Sequence, residues 1–111
     1  MPALPAVHLA ELDVRKLSDY CLNAEHPLGR HKARVFRSAL GLTSEDAVWL
    51  RSELLRLLPM SEAMETMTDN FGARFQVDLV ITRQGRQAMV RTAWIVSSQS
   101  EVPRFLSCRV L

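Results

Sequence analysis

From Ala73 to Thr82 the chain places Phe75, Val77, Leu79 and Ile81 at every second position. That is the period of a strand with one buried face. "RQGR" then supplies a turn, and "QAMVRTAWIVS" reads as a second strand. A symmetric hairpin about Gln84 and Gly85 pairs Phe75 with Trp94, Val77 with Thr92, Leu79 with Val90 and Ile81 with Ala88. The opposite face then pairs Gln76 with Ala93, Asp78 with Arg91 and Val80 with Met89, and sets Arg74 across from Ile95. After the "SQSEVP" loop, "RFLSCRVL" reads as a third strand. Hydrophobicity sends Leu106, Cys108 and Val110 to its core side and leaves Phe105, Ser107 and Arg109 on the open side.

Upstream the period changes. "LDVRKLSDYCLN" sets Leu17, Tyr20 and Cys21 at helical spacing after Asp13, a residue type that caps helix starts. "PLGRHKARVFRSALG" aligns Ala33, Phe36 and Leu40, with Gly41 where a helix ends. "LTSEDAVWLRSELLRLLP" is the clearest helix, capped by Thr43 or Ser44 and striped by Leu50, Leu54, Leu57 and Leu58. "MSEAMETMTD" fits a short edge strand. Helices first and strands last predict an α+β fold, with about three N-terminal helices on one face of a three- to four-stranded antiparallel sheet. The 111 residues make one domain, with residues 1–15 expected as an irregular or strand-like segment.

Composition changes this picture little. No apolar run approaches the roughly 18 residues of a membrane span, so no membrane partner is expected. The chain start lacks the pattern of a secretory signal. Cys21 and Cys108 show no metal-ligand spacing and read as buried free thiols of a reducing cytoplasm. The net charge of +2 is mild, so the placement of the arginines matters more than their number.

The register gathers Arg74, Arg91 and Arg109 around Gln76, Asp78 and Ser107 on the open face. Guanidinium forks match phosphate oxygens, so this face is a candidate phosphate surface. The plainer alternative makes Asp78 and Arg91 a cross-strand ion pair on a solvated face. "NAEHPLGRHKARVF" adds His26, His31 and Lys32 near a helix start, where positive charge is locally unfavourable. Either histidine could exchange a proton near neutral pH, and Lys32 could neutralise phosphate charge. A solvated basic turn is the alternative there too. Metal-protease, zinc, Walker and nucleophile-elbow signatures are all missing, so no cofactor or metal is expected.

"KLSDYCLNAEHPLGRHKARVF", "GLTSEDA", "FGARFQVDLVITRQGRQAMVRTAWIV" and "VPRFL" together resemble a family of small bacterial domains of uncharacterised function. The family pattern runs KLxDYLLNxxHPxGxxKAxxF, LGxT, YGxxYxVD, VRTxWI and PRLxT, and the resemblance spans about residues 16 to 110. Its HP-G-KA block falls on His26, Pro27, Gly29, Lys32 and Ala33, and its VRTxW on Val90, Arg91, Thr92 and Trp94. Cys21, Phe71 and Ser107 replace the family's leucine, tyrosine and threonine. Such domains occur alone and at the ends of toxin-like or phage-associated proteins. Their element order is similar to the barnase, EndoU, colicin and RelE group of metal-independent ribonucleases, an analogy of fold.

The expectation is a metal-free RNA-cleaving or RNA-binding domain of bacterial toxin type. His26 or His31 would move the proton, Lys32 and Arg91 would neutralise phosphate, and Arg74, Asp78, Thr92, Ser107 and Arg109 would hold substrate. The alternative is a non-enzymatic module docking a protein through its open sheet face, as a homodimer or with another chain. An antitoxin or immunity protein is the corresponding partner, or, as a third reading, the role of this chain itself.

Overall fold

The computed structural model describes residues 2–111; Met1, part of the expected N-terminal segment, lies outside the described residues. Four strands, β1 (Ala63–Asp69), β2 (Gly72–Arg83), β3 (Arg86–Ser97) and β4 (Pro103–Val110), form one antiparallel sheet in that order. Gln84 and Gly85 both take positive φ, 48° and 83°. That backbone is the tight turn whose twist suits a hairpin. Every β2–β3 pair expected from alternation is present, from Arg74 opposite Ile95 to Ile81 opposite Ala88. The edge segment "AMETMTD" is the fourth strand.

Helical segments precede the sheet. A π-helical turn, Leu17–Cys21, takes the place of a full first helix. Asp13 does not cap it: its carboxylate accepts instead from the Arg15 backbone N–H at 3.0 Å and from the Arg15 guanidinium. Two α-helices follow, α1 (Arg30–Leu40) and α2 (Ala47–Leu57). Gly41 ends α1 in the left-handed conformation, φ 68°, where a side chain would be strained. Of the two candidate caps, Thr43 is the one used. Its N–H donates to Asp46 Oδ2 at 2.8 Å in a capping box that opens the 3-10 turn ahead of α2.

One core joins these layers. Leu17, Cys21, Phe36, Leu40, Leu50, Leu54 and Leu58 meet Val77, Leu79, Ile81, Val90, Trp94, Phe105 and Cys108, all buried. Leu57, expected in the stripe of α2, is only partly buried. The N-terminal segment runs over the outer edge of β4. It forms a 3-10 turn at Val7–Leu9 and one parallel bridge, Glu11 to Arg104, and buries Leu4 and Leu12.

The expected facing of β4 needs one correction. Trp94 pairs with Phe105 while Ala93 pairs with Ser107, so Leu106 is an extra residue in the strand. The bulge shifts the alternation. Phe105, expected outside, is buried with its ring edge-on to Trp94 at 5.3 Å, and Leu106, expected in the core, is only half-buried. β1 carries the same device, because Glu65 pairs with Phe75 and Met67 with Arg74, leaving Thr66 over.

Candidate functional site

The face of the hairpin away from the core carries Arg74, Gln76, Asp78, Arg91 and Ala93. A shallow cavity of about 240 Å³ opens there, lined by Thr66, Arg74, Gln76, Arg91, Ala93, Leu106, Ser107 and Arg109, with Lys32 reaching in from α1. Both bulge residues, Thr66 and Leu106, sit on its wall. An extra residue bends a strand and increases its twist. Bulges in both edge strands therefore suit a trough better than a flat face.

Each cation in the trough is held differently. Arg91 donates from Nε and Nη2 to the two Asp78 oxygens at 2.9 and 3.0 Å. Gln76, with its amide oxygen turned toward Arg91, accepts from the same two nitrogens at 3.2 Å. The guanidinium is thus fixed at one side, with Nη1 left for an anion. Arg74 Nη1 donates to Asp69 at 2.7 Å. The Asp69 carboxyl is lowered by the Phe71 backbone N–H first and by Arg74 second. Lys32 Nζ donates to the Tyr20 hydroxyl at 2.9 Å and stands 4.8 Å from the Tyr20 ring centre. Arg109 is exposed and, among the described residues, has no carboxylate within ion-pair distance.

The structure thus brings Lys32, Arg74, Arg91, Thr92, Ser107 and Arg109 to one cavity. Thr92 is there through its position in the strand rather than its hydroxyl. That group is buried, donating to the Val77 carbonyl and accepting from Trp94 Nε1, both at 2.7 Å. Asp78 stands behind Arg91 and does not line the cavity. His26 and His31 do not line it either. His26 Nδ1 accepts from the backbone N–H groups of Leu28 and Gly29 at 3.0 and 2.9 Å, so the ring shapes the loop before α1. His31 is exposed on α1.

Sequence reasoning missed Tyr20 and Cys21. The Tyr20 ring stands edge-on to His26 at 4.9 Å and its hydroxyl holds Lys32, so it links the loop to the trough. The loop fits closely: a side chain at Gly29 would meet the Tyr20 carbonyl oxygen at 2.2 Å. Cys21 Sγ lies 3.8 Å from Ser107 Oγ. A hydrogen bond from Cys108 lowers the Cys21 thiol to about 7 against its desolvation. Cys108 moves the other way, raised by that same bond and by burial. Both cysteines are buried and free, as expected. The available signal was Lys-x-x-x-Tyr-Cys, which placed both residues on the same apolar turn.

The family model described as a domain of unknown function (DUF6883) matches residues 3–111. The chain belongs to this family. Among curated proteins, none matches the sequence. The family fold is also found in a chain of a solved complex, the contact-dependent growth inhibition toxin–immunity protein complex from Klebsiella pneumoniae 342. The TM-score is 0.66 at 14% identity, over 90% of this chain and 98% of that one. Identity that low speaks to fold.

Proposed function

We propose that this domain is a toxin-type module that grips the phosphodiester backbone of RNA in the trough. The observation that carries the reading is the convergence of Lys32, Arg91, Arg109 and Ser107 on one cavity from α1, β3 and β4. The solved structure with this fold belongs to a toxin–immunity complex, which supports a toxin-related role. In metal-free cleavage the ribose 2′-oxygen attacks phosphorus and gives its proton to solvent water, while the bond from phosphorus to the 5′-oxygen breaks and that oxygen takes a proton from water. The products are a 2′,3′-cyclic phosphate and a 5′-hydroxyl. Lys32, Arg91 and Arg109 would hold the phosphoryl oxygens as charge builds on them, which is where preorganised donors act most strongly. The histidines have no part in this reading. His26 Nδ1 is occupied by two backbone donors, and protonating it would break both bonds.

The test is incubation of the protein with total RNA and tRNA at low salt, with Lys32→Ala and Arg109→Ala beside it. Binding should weaken with salt, the three phosphate contacts of the trough contributing about −2 to the log–log slope at roughly 0.7 each. Cyclic-phosphate ends should appear with wild type and fade in both variants. Absence of any salt-dependent RNA affinity would sink the reading.

A second reading has its own observation. Met64, Met67, Val80 and Met89 are exposed, and the strand register puts them on the same open face. A protein partner of the immunity type would cover them. Cross-linking that protects these methionines while RNA fails to bind would favour that reading.

A further inference from the structure

A second cluster of charge lies on the far side of α1. Arg30, Arg34 and Arg37 follow one another at helical spacing and line a cavity of about 510 Å³ with the 22–25 loop and Thr43 and Ser44. Along the helix axis the stripe covers about 10 Å, at 1.5 Å per residue. The sequence of α1, RHKARVFRSAL, holds four Lys and Arg residues and no acid. Those four exceed the +2 net charge of the entire chain.

Five of the other nine arginines, Arg15, Arg56, Arg74, Arg83 and Arg91, each sit within ion-pair distance of a carboxylate, at 2.7 to 3.0 Å. Arg51, Arg86, Arg104 and Arg109 do not among the described residues, but they are spread over α2, β3 and β4, whereas the stripe puts three such arginines on one helix. Among the described residues Arg30, Arg34 and Arg37 have no such partner, although Glu25 lies on the rim of the same cavity. Like charges one helical turn apart are each destabilising by about 0.2–0.5 kcal/mol. Arg30 adds an adverse interaction with the positive helix start; Arg37, in the last turn, is the favourable exception. The fold bears this strain without relieving it locally, as a surface built for a polyanion does.

We propose that the Arg30–Arg34–Arg37 stripe is a second RNA contact, holding backbone phosphates beyond the nucleotide in the trough. The proposal rests on the RNA reading of the trough. Lys32 ties the two together: it stands between Arg30 and Arg34 in sequence but lines the trough. One strand crossing α1 is therefore met by cations from both sides of the same helix. The domain then takes RNA of many nucleotides in preference to short fragments.

The experiment compares wild type with the triple variant Arg30→Gln, Arg34→Gln, Arg37→Gln on two probes, a trinucleotide and an RNA of about 20 nucleotides, across a salt series. For the longer RNA, the variant should lose at least about tenfold in affinity, and its salt slope should shrink by about 2, at roughly 0.7 per phosphate. Trinucleotide binding should be unchanged, and the triple Arg→Lys variant should keep the slope. Unchanged long-RNA affinity in the glutamine variant overturns the proposal while leaving the trough reading intact. A wild type that ignores the trinucleotide overturns the trough reading. Polyglutamate bound as tightly as the long RNA, and lost equally in the variant, also overturns the proposal and assigns the stripe to an acidic protein.

Discussion

The β2–β3 hairpin and the two edge strands follow opposite rules. The hairpin pairs without interruption from Gly72 opposite Ser97 to Arg83 opposite Arg86. β1 and β4 each carry one residue too many, Thr66 and Leu106, and each of these lines the trough. The regular ladder fixes where the central guanidiniums stand. The irregular edges bring other groups toward them. The same sheet thus divides the labour between positioning and enclosure, and mutations should separate the two.

Arg91→Ala removes the cation that the ladder holds most firmly, and should show the largest effect. A hydrogen bond to a charged group contributes about 1.5–3 kcal/mol, so RNA affinity should fall roughly 10- to 100-fold. Stability should change little, because the Asp78 pair is a third exposed to solvent and such pairs are screened. Thr92→Val attacks the ladder from its buried side, leaving the Trp94 N–H without an acceptor. Denaturant unfolding should then register a loss of about 1–3 kcal/mol with RNA binding retained in the folded fraction. If binding is lost while stability holds, the Thr92 hydroxyl belongs to the site after all.

Deletion of Leu106 tests the edge. Without it Ser107 still meets Ala93 and Phe105 still meets Trp94, now in a regular ladder. We expect cooperative unfolding to survive and RNA affinity to drop about tenfold as β4 straightens away from the trough. Undiminished affinity would show that the bulge is incidental. Arg109→Ala, also on the edge strand, should leave stability within about 0.5 kcal/mol and reduce the salt slope by roughly 0.7. The smallest effect concerns the thiols under β4. Cys108→Ala should raise the Cys21 thiol from about 7 toward the ordinary value of 9.0, read by thiolate absorbance against pH. Cys108→Ser should keep it low. A titration unmoved by Cys108→Ala would refute the pairing.

What the sequence revealed follows the same division. The hairpin was legible residue by residue because strict alternation and the Gln84–Gly85 turn leave one register. The β4 bulge was not, since Phe105 and Leu106 are adjacent apolar residues and nothing local says which turns inward. Alternation assumes that no residue is extra; one insertion reverses everything beyond it. The histidines lie off the trough for another reason. His26 looks like a proton carrier by type, yet its nitrogen is engaged by the backbone two and three residues on, a use that composition does not reveal. Arg74, Arg91 and Arg109 were chosen by the face that strand alternation gives them, and at these three positions that face held.

The N-terminal bridge has a consequence for assembly. Glu11 N–H donates to the Pro103 carbonyl, the Glu11 carbonyl accepts from Phe105 N–H, and Lys16 Nζ occupies the Phe105 carbonyl. The outer edge of β4 is thereby closed to a further strand over that stretch. On the outer edge of β1 only Ala63 N–H is engaged among the described residues, by the Pro2 carbonyl. Unpaired edges are the templates by which sheets grow. A strand added at β4 would find only the part beyond Phe105 open, whereas β1 offers its length beyond Ala63, so edge-to-edge growth of the sheet is biased toward the β1 side.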